Sequence, residues 1–200
     1  MDEKTSLNPA PEEEQASQGM AWELYSWLRE IVVCISIITI AFVFFVRLVS
    51  VSGDSMFPTL ESGDKVALIS NFLSQDYEQG DIVVLLQERF KDEPLIKRVV
   101  ATAGQTVDID YVNGVVYVDG QALEESYVAA PITQRGTIEL PATVPEGCIF
   151  VLGDNRNESA DSRYVQIGMI DTRQVMGEVI WVVWPFSNIG KPEMGVWGES

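Results

Sequence analysis

Ser55, in "SGDSMFPTL" (52–60), and Lys97, in "EPLIKRVVATAG" (93–104), are residues whose types could supply a nucleophile and a base. A serine hydroxyl attacks a carbonyl effectively only when a neighbouring base takes its proton. The chain has no histidine, so Ser-His-Asp and Cys-His catalysis are excluded, as are zinc sites built on His and Cys. A lysine or a carboxylate must then be the base. Arg98 is no candidate, because a guanidinium does not deprotonate in a protein. Lysine qualifies only when desolvated: near its ordinary pKa of about 10.4, about one in 2,500 is neutral at pH 7, whereas burial that lowers the pKa to about 7–8 makes a competent base. In a strand, Lys97 shares a face with Leu95 and Val99, and Arg98 with Ile96 and Val100, so the run offers an apolar setting. It equally fits a strand lysine whose stem lies along the surface with its ammonium in water.

Other local motifs are weaker. "SGDK" (62–65) has the S-x-x-K spacing of penicillin-binding enzymes, but the S-D-N and K-T-G elements are missing and Gly63-Asp64 reads as a turn. "GDSMF" lacks the second glycine of a nucleophile elbow. Asn157-Glu158-Ser159 matches a glycosylation sequon, a pattern common by chance.

The elements that must position these residues fall into three parts. Residues 1–21 are polar and acidic, with almost nothing to bury, and predict a disordered tail. Residues 22–50 predict a transmembrane anchor with a flanking turn. Ile31 to Val46 is uncharged and apolar all round, spans about 24 Å as a helix, and is extended by Leu48, Val49 and Val51 if Arg47 snorkels. Trp22, Tyr25 and Trp27 supply interfacial aromatics at the other end. A soluble core helix would show a polar stripe, and a cleaved signal peptide would begin with a short basic region; neither fits. Arg29 and Arg47 flank the two ends, so charge does not orient the span.

Residues 51–200 predict a β-rich domain. Short apolar runs bounded by turn signals recur, among them "KVALI", "DIVVLL", "LIKRVVA", "TVDIDYV", "VVYVDG", "CIFVLG" and "VIWVVW". Asn113-Gly114 between alternating runs marks a hairpin, and Asp119-Gly120 the next turn. The fold class expected is therefore mainly β: one N-terminal membrane helix, then an antiparallel β domain with a small subdomain over 105–147. The net charge of -17, from 13 basic and 30 acidic residues, argues against a nucleic-acid partner. Cys34 and Cys148, one in the apolar run and one in the β domain, are expected to be free thiols.

Taken together, these stretches resemble the bacterial type I signal peptidases (leader peptidases), membrane-anchored Ser-Lys proteases, in their shorter, Gram-positive-like branch. "SGDSMFPTL" resembles the nucleophile box, "GDIVVL" (80–85) the next strand box, "IKRVVATAGQTV" (96–107) the lysine box, "GDNRNESADSR" (153–163) the last box, and "MGEVIWVVWPFSNIG" (176–190) the C-terminal strand and turn. The likeness covers most of residues 50–190. It implies a signal peptidase-like fold without a cofactor, with Ser55 attacking the scissile carbonyl and Lys97 as neutral general base. Ser159 matches the serine that hydrogen-bonds and orients the lysine; Asp154, Asp161 and Arg163 match polar residues that hold the site together, and Met56 an apolar neighbour that packs. Gly53 stands where some members carry a serine that completes the oxyanion hole. The Ser55 N–H remains one donor, and since losing a donor costs about 2.7–4 kcal/mol, a replacement for the other is expected.

The resemblance implies secretory preproteins as partners. An extended substrate added to a sheet edge points alternate side chains the same way, and two shallow pockets would then select the small residues of an A-x-A-like signal. Anchoring in the same bilayer as the precursor raises its effective concentration. The resemblance also implies a single-pass cell-membrane protein, its tail cytoplasmic and its catalytic domain extracytoplasmic. "VIWVVWPF" (179–186) is open to either lipid contact or core burial. Two other classes are a self-cleaving repressor-type Ser-Lys protease and an anchored β-rich binding module without activity.

Overall fold

The computed structural model describes residues 12–71, 76–86 and 94–193. It contains two compact units, residues 1–44 and 45–200. The first holds all but the last residue of helix α1, Glu12–Phe45. Its part from Trp22 to Phe45 spans 24 residues with a mean hydropathy of 2.3, and none of it is buried within the chain. That length is about 36 Å of helix, enough to cross a bilayer.

The apolar span starts at Trp22 as predicted, but helix extends beyond it on one side and stops short of residue 50 on the other. A disordered tail was expected through residue 21, but helix begins at Glu12; residues 1–11 lie outside the described residues. The stretch "EEEQASQ" consists largely of good helix formers, with glutamates in the first turn where the helix dipole favours them. At the other end, Leu48 and Val49 do not extend the span. Helix gives way to strand β1, Val46–Ser50, whose five residues pair antiparallel with residues 65–69. β-branched Val46 and Val49 suit a strand, and the neighbouring edge supplies the partners that an apolar sequence alone does not reveal.

Among the described residues the second unit holds β1 and ten further strands. They are β2 (Lys65–Ser70), β3 (Ile82–Leu85), β4 (Leu95–Thr102), β5 (Thr106–Asp110), β6 (Val115–Val118), β7 (Gln121–Ala122), β8 (Ala142–Thr143), β9 (Cys148–Leu152), β10 (Ile170–Asp171) and β11 (Val175–Trp184). Seven form one sheet in the order β1-β2-β11-β3-β4-β9-β10, and four form another in the order β7-β6-β5-β8. All pairs are antiparallel. The β5–β6 hairpin turns at Asn113-Gly114, and Asp119-Gly120 turns β6 into β7 with both residues at positive φ. The fold class is thus mainly β behind one apolar helix. Both cysteines are free.

The small sheet is joined to the large one by a shared core. Val107, Ile109, Val116 and Val118 pack with Val100 of β4 and Phe150 and Leu152 of β9. A second cluster gathers Met56 and Leu60 of the loop after β1 with Leu68, Ile82, Ile96 and Val179 of four strands. Those two loop residues are 1 % and 0 % exposed, so the segment carrying Ser55 is pinned to the sheet from below.

Candidate active site

Ser55 lies in the turn between β1 and β2, next to the buried Met56. The ends of this turn are tied by hydrogen bonds from the Val51 amide to the Asp64 carbonyl (2.8 Å) and from the Gly63 amide to the Val51 carbonyl (3.0 Å). Gly53, two residues before the serine, sits at φ 81°, a conformation in which a Cβ would be strained. Asp54, Phe57, Glu61, Ser62 and Asn155 line an open depression of about 510 Å³ beside it.

Lys97 comes from β4, where it pairs with Val83 of β3. Both faces of this strand are covered: every residue from Ile96 to Ala101 is buried, and Lys97 is only 2 % exposed. Its Nζ lies 2.7 Å from Ser55 Oγ and 2.8 Å from the Ile96 carbonyl oxygen. Charged, the amine donates to both; neutral, its lone pair can accept the serine O–H. Burial drives the Lys97 pKa down from 10.5 to about 8, against the opposing pull of the Asp161 and Asp154 carboxylates.

The loop after β9 surrounds the pair with paired charges. Asp154, wholly buried, takes Arg98 Nε and Nη2 at 2.8 and 2.7 Å and the Thr59 hydroxyl at 2.5 Å. Asp161 takes Arg163 Nε and Nη2 at 2.7 and 2.8 Å and the Gly153 amide at 3.2 Å. Each carboxylate near the lysine thus has its own guanidinium, and desolvation dominates the amine. Gly153 is obligatory by space: a Cβ there would fall 2.2 Å from Ser159 Oγ and 2.4 Å from the Ser55 carbonyl oxygen. The Asn155 amide donates to that same Ser55 carbonyl at 3.0 Å, tying nucleophile turn to loop.

A family model for signal peptidase, peptidase S26, matches residues 24–184. The chain belongs to this family. A probable signal peptidase I-1 from Synechocystis is 39 % identical over 150 residues, covering 70 % of this chain and 72 % of the relative. Signal peptidase IB from Staphylococcus aureus is 34 % identical over 185 residues, covering 84 % and 94 %. A crystal structure of a signal peptidase I from Enterococcus faecalis is 32 % identical and covers 52 % of this chain and 96 % of that one, with a TM-score of 0.44. The chain is accordingly a serine endopeptidase, a hydrolase. A binding module without activity and a repressor-type protease are both set aside.

Of the residues predicted for the site, Ser55, Lys97, Asp154, Asp161, Arg163 and Ser159 all converge on this region, with Met56 in the core beneath it. The predicted hydrogen bond from Ser159 to the lysine is not made. Ser159 Oγ is buried and meets no partner among the described residues, and the Ile96 carbonyl takes the lysine instead. Five residues of the polar shell escaped the sequence reading as site residues: Thr59, Arg98, Glu125, Tyr127 and Arg156. One signal for Arg98 was present in "LIKRVVA", which is apolar on both faces as fully buried strands are, so a fixed charge within it must be paired. Arg156 lies within the "GDNRNESADSR" box but in a polar stretch that looks solvated, and nothing local marks Glu125.

Proposed function

We propose that the chain removes N-terminal signal peptides from secretory preproteins after A-x-A-like small residues, with Ser55 as nucleophile and Lys97 as general base. The observation that carries this reading is the 2.7 Å approach of Lys97 Nζ to Ser55 Oγ at a buried amine whose pKa is lowered to about 8. Ser55 Oγ attacks the scissile carbonyl carbon and its proton passes to Lys97 Nζ. The tetrahedral intermediate collapses, breaking the C–N bond, and the lysine ammonium returns the proton to the departing amine of the mature protein. The neutral lysine then activates a water that hydrolyses the Ser55 ester and releases the signal peptide. Among the described residues no acceptor meets the Ser55 N–H, which supports it as one oxyanion donor. Ser159, its hydroxyl unspent, would receive the lysine as the site closes on substrate.

The substrate would enter as an added strand. β9 pairs with β4 only from Arg98 to Thr102, so among the described residues the side of Leu95–Lys97 turned away from β3 carries no strand. An extended peptide there would run beside the Lys97 backbone. The helix from Trp22 to Phe45 would anchor the peptidase in the membrane that holds the precursor's own apolar segment, the tail cytoplasmic and the β unit on the translocated side.

Full-length protein in detergent, incubated with a model preprotein and followed by mass spectrometry, tests the reading. Wild type should cut once after the A-x-A site. Ser55→Ala and Lys97→Ala should each lower the rate by at least about 10⁴-fold with circular dichroism unchanged. Full activity in either variant sinks the dyad.

A further inference from the structure

Residues 123–141, between β7 and β8, contain no helix or strand, yet they meet the active-site loop through buried polar contacts that the dyad does not use. Glu125 receives Arg156 Nη1 and Nη2, each at 2.6 Å. Arg156 is 1 % exposed, and its Nε donates to the Gly153 carbonyl at 3.0 Å. Tyr127, also 1 % exposed, places its ring 3.9 Å from the Arg98 guanidinium carbon and donates its hydroxyl to Glu125 at 3.1 Å. The segment thus grips one arginine beside the base in sequence and another between Asp154 and Ser159.

The charges nearest the lysine do not require this third ion pair, since Asp154 and Asp161 each have an arginine of their own. Its geometric role is more direct. A buried guanidinium deprived of its carboxylate is strongly unfavourable, so Glu125 dictates where Arg156 lies. Arg156 holds the Gly153 carbonyl, and the next residues but one carry the Asn155 amide to the Ser55 carbonyl at 3.0 Å and the Asn155 side chain to the Asp54 carbonyl at 3.1 Å. The backbone on both sides of the nucleophile is therefore registered from a residue far outside the catalytic boxes.

We propose that Glu125, supported by Tyr127, is a positioning residue for the nucleophile, acting through Arg156 and the 153–155 backbone. Its kinetic consequence rests on Ser55 being the nucleophile; its structural consequence does not. The test uses the full-length chain with Glu125→Gln, Glu125→Asp and Tyr127→Phe. Glu125→Gln should lower kcat by about 10- to 100-fold with KM within about threefold, as expected for misplacement of a reacting group by a fraction of an ångström. Glu125→Asp should recover part of the loss, and Tyr127→Phe should show a smaller loss in the same direction. Amide exchange at Asn155 should quicken by at least about tenfold in Glu125→Gln, while amides of the β5–β6 hairpin stay as protected as in wild type. A folded Glu125→Gln with wild-type kcat and wild-type Asn155 exchange overturns the proposal, as does exchange that quickens equally throughout the β unit. If Glu125→Gln does not fold, Tyr127→Phe is judged by the same two readouts. Should wild type itself fail to cleave, the dyad reading falls, while Asn155 exchange still decides whether Glu125 holds the turn.

Discussion

The 153–163 loop and the turn at 171–173 carry the same chemical pair in opposite settings. Arg98–Asp154 and Arg163–Asp161 are sealed from water, with side chains no more than 1 % exposed. Arg173 pairs with Asp171 through comparable hydrogen bonds, yet Arg173 is 81 % exposed. In the loop each partner's removal would strand a charge without water, so the pairs dictate geometry; in the turn, solvent replaces whichever partner is lost. The difference teaches that burial, more than the pairing itself, makes an arginine structural here, and that Lys97 lies in the buried regime without a carboxylate of its own.

The sharpest way to break this contrast is Arg98→Leu, which leaves Asp154 buried and uncompensated. It should cost about 3–5 kcal/mol of stability, read by urea denaturation. Lys97→Met should act in the opposite direction. The folded-state pKa of Lys97 lies below its ordinary value, so the unfolded chain holds the extra proton between about 8 and 10.5, and stability rises with pH through that window. Below pH 8 the full penalty, about 3 kcal/mol, is present. Replacing the lysine by methionine should therefore raise the melting temperature at pH 7 by several degrees while abolishing cleavage, and a lower melting temperature would show that the amine is not a desolvated one.

A subtler test is the pH dependence of kcat/KM. It should fall about tenfold per unit below pH 8 as Lys97 becomes protonated, and flatten above it. A flat profile from pH 6 to 9 would remove Lys97 as the base. The smallest effect belongs to the exposed pair: Asp171→Asn should move the melting temperature by no more than about 2 °C and leave cleavage unchanged. A drop comparable to that of Arg98→Leu would erase the distinction between the two regions.

Much of this organisation is legible in the chain itself. Runs of β-branched residues between turn signals mark the main strands, Asn113-Gly114 marks its hairpin, and the absence of histidine directs attention to lysine. The end of the anchor was not legible. Between Phe45 and Val51 the apolar Val46, Leu48 and Val49 surround Arg47 and Ser50 with no glycine or proline to break a helix, and only the edge of β2 makes them a strand. The polar shell was legible in part. Asp154, Asp161 and Arg163 were visible as a motif, but the arginine serving Asp154 comes from 56 residues away and Glu125 reaches Arg156 across 31.

By itself the sequence determined the period of the strands, the apolar helix and the chemical types available for catalysis, because these depend on each residue and its near neighbours. Tertiary structure alone decided which charges are buried, which carboxylate meets which guanidinium, and that the amine of Lys97 is dry and 2.7 Å from Ser55 Oγ. Desolvation and ion pairing depend on everything packed around a group, and that surrounding is assembled from segments distant in the chain.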